Sequence, residues 1–208
     1  NGLFLGAPQK VSTSLDEVIV DMKGWEGATS LCVVDLDKGS VIAAHNSESF
    51  MPIGSTFKLY VLGELARSVG AGKHTWSEVV ALNRQHTSLP SGVLQDWPEG
   101  APVTLHTLAT QMISISDNTA TDHLIHMLGR EKIESVQGAM GHGNPSRNAP
   151  FLTTREMFAL KFSNNGEAAL RFVGTKDVGE RRKIVKNLST VMLDEITFAD
   201  TVSFIEEI

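Results

Sequence analysis

Strand-forming sequence is confined to the residues before Thr56, and the remainder of the chain repeats its apolar residues almost throughout at helical spacing. Two short β-rich runs, residues 29–36 and 40–45, flank Asp35-Leu36-Asp37-Lys38-Gly39, whose Asp and Gly residues suit a tight reversal. They read as an antiparallel hairpin. A two-stranded ribbon is marginal in water and leaves both edges open, so such a chain needs further strands and helices to complete the sheet. Ser30-Leu31-Cys32-Val33-Val34 is apolar on both faces, which predicts a strand inside a covered sheet and a buried, inert Cys32. Residues 202–208 end in Phe-Ile-Glu-Glu-Ile without a closing turn, so the missing strands are expected past residue 208. The fold class predicted is α/β plus all-α, with an antiparallel sheet flanked by helices and incomplete in this chain.

Residues 12–22 read as an amphipathic helix with Leu15, Val18, Ile19 and Met22 on one face and Thr13 or Ser14 as its cap. The long helical part opens with Phe57, Leu59, Tyr60, Leu62 and Leu65. It continues over residues 104–115, 118–128 and 131–140, over a helix capped by Thr153-Thr154, and over residues 179–193. Residues 74–100 are the least regular, and 141–150 form a polar Gly/Asn/Pro loop. Three regions are expected. Residues 1–49 hold the first helix and two strands of an α/β lobe, 50–153 form an all-α lobe, and 154–208 return to the α/β lobe.

Several classes of function are excluded by composition. With 41% hydrophobic and 20% charged residues the 208-residue chain can bury a core and lacks the signature of disorder. Its net charge of −6 argues against a nucleic-acid partner, which needs clustered Lys and Arg. No apolar run approaches the roughly 20 residues of a membrane span. The Leu3-Phe4-Leu5 patch lacks the basic leader of a signal peptide and is compatible with the remnant of a linker. One cysteine excludes an internal disulfide.

The sharpest chemical signal is Ile53-Gly54-Ser55-Thr56-Phe57-Lys58, which holds the one S-x-x-K pair in the chain, at the start of an apolar helix. Residues three apart share a helix face. A serine hydroxyl needs a proton acceptor to act as a nucleophile, and a lysine serves when burial or nearby cations keep its amine partly neutral. A helix N-terminus adds free N–H groups that suit a developing oxyanion. About sixty residues later comes Ser116-Asp117-Asn118 at a junction between two helices. Each motif alone has an ordinary reading, because Ser, Thr, Asp and Asn cap many helices.

Together, Ser55-Thr56-Phe57-Lys58 and Ser116-Asp117-Asn118 resemble the first two signatures of the class A β-lactamase and penicillin-binding protein superfamily. Phe50, the run Pro102-Val103-Thr104-Leu105, Thr119-Ala120-Thr121-Asp122-His123-Leu124 and Thr153-Thr154 extend the likeness over roughly residues 13 to 195. The resemblance implies a two-lobe β-lactamase-like fold with Ser55 as the acylated nucleophile and Lys58 as its proton partner. Ser116 would relay a proton to the leaving nitrogen, Asn118 would bond the substrate amide or Lys58, and the Ser55 N–H would supply half of an oxyanion hole. It implies a small-molecule substrate, no cofactor or metal, and a bacterial protein of the cell envelope.

Two family features are missing. No Glu stands in an E-x-x-L-N loop, where the family positions its hydrolytic water, and Glu131 and Glu134 read as a solvated helix face rather than as replacements. No Lys-Thr-Gly or Lys-Ser-Gly occurs, in keeping with strands that lie past residue 208. His123 and His126 have a metal-like spacing but no obvious third ligand, so they are read as packed or surface histidines. The function expected is a serine hydrolase acting on a β-lactam, ester or amide. The alternatives are a non-catalytic or acylation-only penicillin-binding module and an interaction domain of a larger protein.

Overall fold

The computed structural model describes residues 12–49, 51–162 and 166–188. The 202–208 end without a closing turn, the last residues of the 179–193 helix, Leu3-Phe4-Leu5 and Phe50 lie outside them. The chain divides into two compact units, Asn1–Ile53 and Gly54–Ile208.

The first unit contains α1 (Leu15–Lys23), β1 (Leu31–Asp35) and β2 (Ser40–His45). Ser14 caps α1, its hydroxyl accepting from the Glu17 N–H at 3.2 Å, while the Glu17 carboxylate reaches back to the Thr13 N–H at 2.7 Å. The strands pair antiparallel from Leu31 opposite His45 to Asp35 opposite Ser40, with a register shift between Val33 and Val34. Asp35 Oδ1 accepts from the N–H groups of Asp37 and Lys38, both at 3.0 Å, and this closes the reversal.

The covered-sheet expectation does not hold for the described residues. Along β1, half-buried and exposed residues alternate; Cys32 is exposed, as are Val34, Val41 and Ile42. A strand apolar on both faces is dry only when other elements cover both faces. Among the described residues β1 and β2 pair only with each other.

The second unit is helical around α4. Its elements are α2 (Lys58–Gly70), β3 (Val79–Ala81), β4 (Pro102–Thr104), α3 (Leu105–Ser114), α4 (Asn118–Leu128), α5 (Arg130–Ala139), α6 (Thr154–Phe162), α7 (Glu167–Gly174) and α8 (Val178–Leu188). The main core joins Val61 and Leu65 of α2, Leu105, Leu108 and Met112 of α3, Leu124 and Leu128 of α4, and Ile133 of α5. These positions repeat at three and four residues, as one buried helix stripe requires. A smaller core packs Ala159 and Leu160 of α6 against Ile184 and Leu188 of α8. The β3–β4 pair and α7 have no counterpart among the sequence expectations; three residues per strand are too few for an alternation to show.

α4 is unusual in its burial. Nine of its 11 residues are buried, among them Asn118, Thr119, Asp122 and His123. Buried polar groups need partners, and here the partners are neighbouring loops. Asn83 N–H donates to His123 Nε2 at 2.8 Å, Ser88 exchanges bonds of 3.0 and 3.1 Å with Thr119, and the start of α6 bonds Asp122. α4 is thus the post on which the irregular 83–93 segment and α6 are hung. No helix of the described residues is long and apolar enough to cross a membrane.

Candidate active site

Gly54 sits in the left-handed region at φ 50°, and the chain then winds as a single 3-10 turn, Gly54–Phe57, before α2 begins at Lys58. Residues three apart eclipse one another in that geometry. Ser55 is exposed at the turn, whereas Lys58, at 2% exposure, is driven into the protein by the apolar start of α2.

Lys58 reaches Ser55 through a third residue. Its Nζ donates to the Ser116 carbonyl at 2.7 Å, to Ser116 Oγ at 2.8 Å and to Asn118 Oδ1 at 2.8 Å, which matches all three protons of an ammonium. Ser116 Oγ in turn donates to Ser55 Oγ at 2.9 Å. Ser55, Ser116 and Lys58 therefore form a continuous hydroxyl–hydroxyl–amine chain with one end exposed and the other buried.

The turn that carries Ser116 is held from several sides. Ser116 has φ 59°, a left-handed conformation uncommon for a residue with a Cβ. That conformation lets its carbonyl and its hydroxyl both meet Lys58. Asp117 caps α4, Oδ1 accepting from the Ala120 N–H at 2.8 Å, while Oδ2 accepts from the N–H groups of Val93 and Leu94 at 2.7 and 3.0 Å. Asn118 N–H donates to the Ser91 carbonyl at 2.8 Å, and Asn118 Nδ2 to that of Leu89 at 3.0 Å. Gly92 makes this close approach possible, because at φ 123° a Cβ would collide with the Asp117 carboxylate.

Burial pushes the Lys58 amine down from 10.5 to about 8, against the opposing pull of the Asp117 and Asp122 charges. About a tenth of the molecules then hold a neutral Lys58 at pH 7. In that form the amine has a lone pair. The two hydroxyls can reverse direction, Ser55 donating to Ser116 and Ser116 to Lys58, so that a proton leaves Ser55.

The other candidate residues lie elsewhere. Glu134 is not part of a solvated face; it is half-buried, accepts from the Phe151 N–H at 2.8 Å and from Arg182 at 3.1 Å, and so ties α5 to the approach to α6 and to α8. Glu131 faces Arg182 at 3.8 Å. His123 uses both nitrogens, donating from Nδ1 to the Thr119 carbonyl at 2.7 Å and accepting at Nε2, which leaves neither for a metal. His126 stacks on His86 with centroids 3.9 Å apart. Among the described residues no group of three or more His, Cys, Asp or Glu side chains is placed to hold a metal ion.

Gly92, the Leu89 carbonyl and the Asp117 carboxylate also support the site, and of these only the capping potential of Asp117 is visible in its residue type. Ahead of α6, residues 149–153 read Ala-Pro-Phe-Leu-Thr and hold no acid. Phe151 meets Phe57, in the turn of Ser55, edge to face at 5.8 Å.

Solved structures share this arrangement of the chain. A β-lactamase from Sphaerobacter thermophilus is 28% identical over 61% of this chain and 47% of its own, with a TM-score of 0.56. The protein PBP-A is 23% identical over 73% of this chain and 61% of its own, also at 0.56, and a β-lactamase from Chitinophaga pinensis is 16% identical over 89% and 74%, at 0.54. The chain spans about half the length of the Sphaerobacter enzyme it matches. No curated protein matches the sequence. The β-lactamase enzyme family model matches residues 10–190, and with nearly the whole chain inside that match, the protein belongs to this family.

Proposed function

We propose that this chain carries the acylating half of a serine hydrolase site, in which Ser55 Oγ attacks the carbonyl carbon of a small β-lactam, ester or amide. The observation that carries the reading is the hydrogen-bonded chain from exposed Ser55 through Ser116 to buried Lys58, whose amine is lowered to about 8. As the Oγ–C bond forms, the hydroxyl proton passes through Ser116 to neutral Lys58. The carbonyl C–N or C–O bond then breaks, and the same proton returns through Ser116 to the leaving nitrogen or oxygen. One proton of the Asn118 amide is held by Leu89, and the other is free to meet a substrate carbonyl. The Ser55 N–H supplies one oxyanion donor.

A second reading, an acylation-only penicillin-binding module, is supported by a specific observation. Among the described residues, no Asp or Glu side chain is hydrogen-bonded to the Ser55–Ser116–Lys58 chain, and the sequence contains no E-x-x-L-N. The related fold of PBP-A has been solved, in a mutant form, as an acyl-enzyme complex with penicillin G, which favours β-lactams as the first probe. Family membership also favours a bacterial protein that works outside the cytoplasm.

Intact-mass spectrometry after incubation with benzylpenicillin tests both readings. Wild type should gain the mass of one penicillin and Ser55→Ala should not; the adduct's lifetime separates hydrolase from trap. Absence of an adduct together with absence of hydrolysed penicillin would refute the β-lactam assignment.

A further inference from the structure

One buried charge has no part in the chemistry above. Asp122 is 1% exposed and follows Asn118 by one helical turn on α4. Its carboxylate accepts from the Thr154 N–H at 2.7 Å, from Thr154 Oγ1 at 2.8 Å and from the Arg155 N–H at 3.0 Å. The Thr154 hydroxyl also stands 2.7 Å from Ser88 Oγ and 3.4 Å from the Asn118 carbonyl. The next carbonyl after Ser88, that of Leu89, accepts from Asn118 Nδ2, and Asn118 Oδ1 accepts from Lys58. A path of bonded groups thus runs from Asp122 to the amine that serves Ser55.

We propose that Asp122 is a positioning residue for Lys58, holding the Thr154–Ser88–Asn118 frame and using its buried negative charge to keep the amine able to carry a proton. The inference rests on the reading of Lys58 as the proton partner of Ser55. Such a lysine must do two opposite things: accept a proton when Ser55 attacks and surrender it when the leaving group departs. Burial alone favours the neutral form and would make Lys58 a poor carrier. A buried carboxylate that is ionised where Lys58 titrates opposes that tendency.

Geometry and electrostatics agree on this pairing. Lys58 is pulled down by burial and held up by Asp117 and then Asp122, while burial raises the Asp122 carboxyl to about 7 against its three hydrogen-bond donors. The charged groups on the elements around α4 are largely engaged elsewhere. Glu64 of α2 is bonded by Arg67 and Ser68, Glu156 of α6 is paired with Arg130 of α5, and the Arg155 guanidinium donates to the Thr87 carbonyl. His86 is lowered to about 4 by its own burial and by its histidine neighbours, so it is neutral where the lysine titrates. Asp117 is committed to three backbone N–H groups. Asp117 and Asp122 are the two anions that act on Lys58, and of the two only Asp122 also anchors the Thr154–Ser88 frame.

The test follows the ionisation of Lys58 itself. In the full chain labelled with 13C at lysine Cε, with Lys58→Met to identify the resonance, wild type should titrate near 8. Asp122→Asn should move that midpoint down by about one unit. The pH profile of acylation by benzylpenicillin should move with it. A purely structural role would slow acylation and leave the midpoint in place, and that outcome overturns the proposal. Should Asp122→Asn fail to fold, wild type labelled at the aspartate carboxyl carbon serves instead: the Lys58 resonance must respond at the pH where Asp122 titrates. A Lys58 curve blind to that step also overturns the proposal. No substrate enters either titration, so a chain that penicillin fails to acylate counts against the reaction and not against the coupling.

Discussion

Gly92→Ala is expected to damage the site from outside it. Gly92 has φ 123°, which costs a residue with a Cβ about 1–3 kcal/mol of strain. The new methyl would also land on the Asp117 carboxylate. That carboxylate cannot retreat freely, because it accepts from the N–H groups of Val93, Leu94 and Ala120. Each buried N–H left without an acceptor costs about 1–3 kcal/mol, and at least the Leu94 and Ala120 groups lie in buried residues. The total is about 3–9 kcal/mol, a large share of the roughly 5–15 kcal/mol that holds an ordinary domain together. Urea unfolding of wild type, Gly92→Ala, Asp117→Ala and the double variant isolates the collision. With the carboxylate removed, alanine at 92 bears only the backbone strain, so the double variant should be more stable than the two single losses added by about 2 kcal/mol. Additivity within about 0.5 kcal/mol would refute the collision, as would a Gly92→Ala midpoint equal to wild type.

Other perturbations address the reaction. If neutral Lys58 is the base and its amine titrates near 8, single-turnover acylation should rise about fifty-fold between pH 6 and pH 8, whereas Lys58→Arg, permanently charged, should lose it; a flat stopped-flow profile would exclude Lys58 as the base. Ser116→Ala cuts the link between Ser55 and Lys58 and should slow acylation by about 10²–10⁴-fold while leaving the protein folded; a change under about threefold would mean that the proton takes another route.

The features legible in the sequence are those that contiguous residues encode. Leu105, Leu108 and Met112 mark α3 by their spacing, and the helices α3, α4 and α5 begin and end within a residue or two of where periodicity and caps put them. Ser55 and Lys58 stand out because their relation spans a single turn. Their connection through Ser116 is not legible, since it joins residues 61 positions apart and depends on a left-handed φ at a serine. The burial expected of Cys32 fails for a related reason: apolar neighbours along a strand bury a side chain only if something packs over it. α4 shows the converse. Asn118, Thr119, Asp122 and His123 look like a polar face, yet they are buried, because three separate segments supply partners that no local pattern announces.

In the proposed reaction, attack on the substrate and release of the acyl group need different groups. While Ser55 is free, its hydroxyl accepts from Ser116, and once Lys58 is neutral the two hydroxyls can reverse so that the chain carries the Ser55 proton to the amine. Once Ser55 is acylated that hydroxyl no longer exists, and a hydrolytic water must be held and deprotonated on its own. Lys58 is already saturated by the Ser116 carbonyl, Ser116 Oγ and Asn118 Oδ1, and it is buried behind them. It can recover the attacking proton through Ser116, but it offers no free face to a water. Under the proposed reading the described site is equipped to form the ester bond to Ser55, while no acid that could activate a hydrolytic water is among the groups bonded to it.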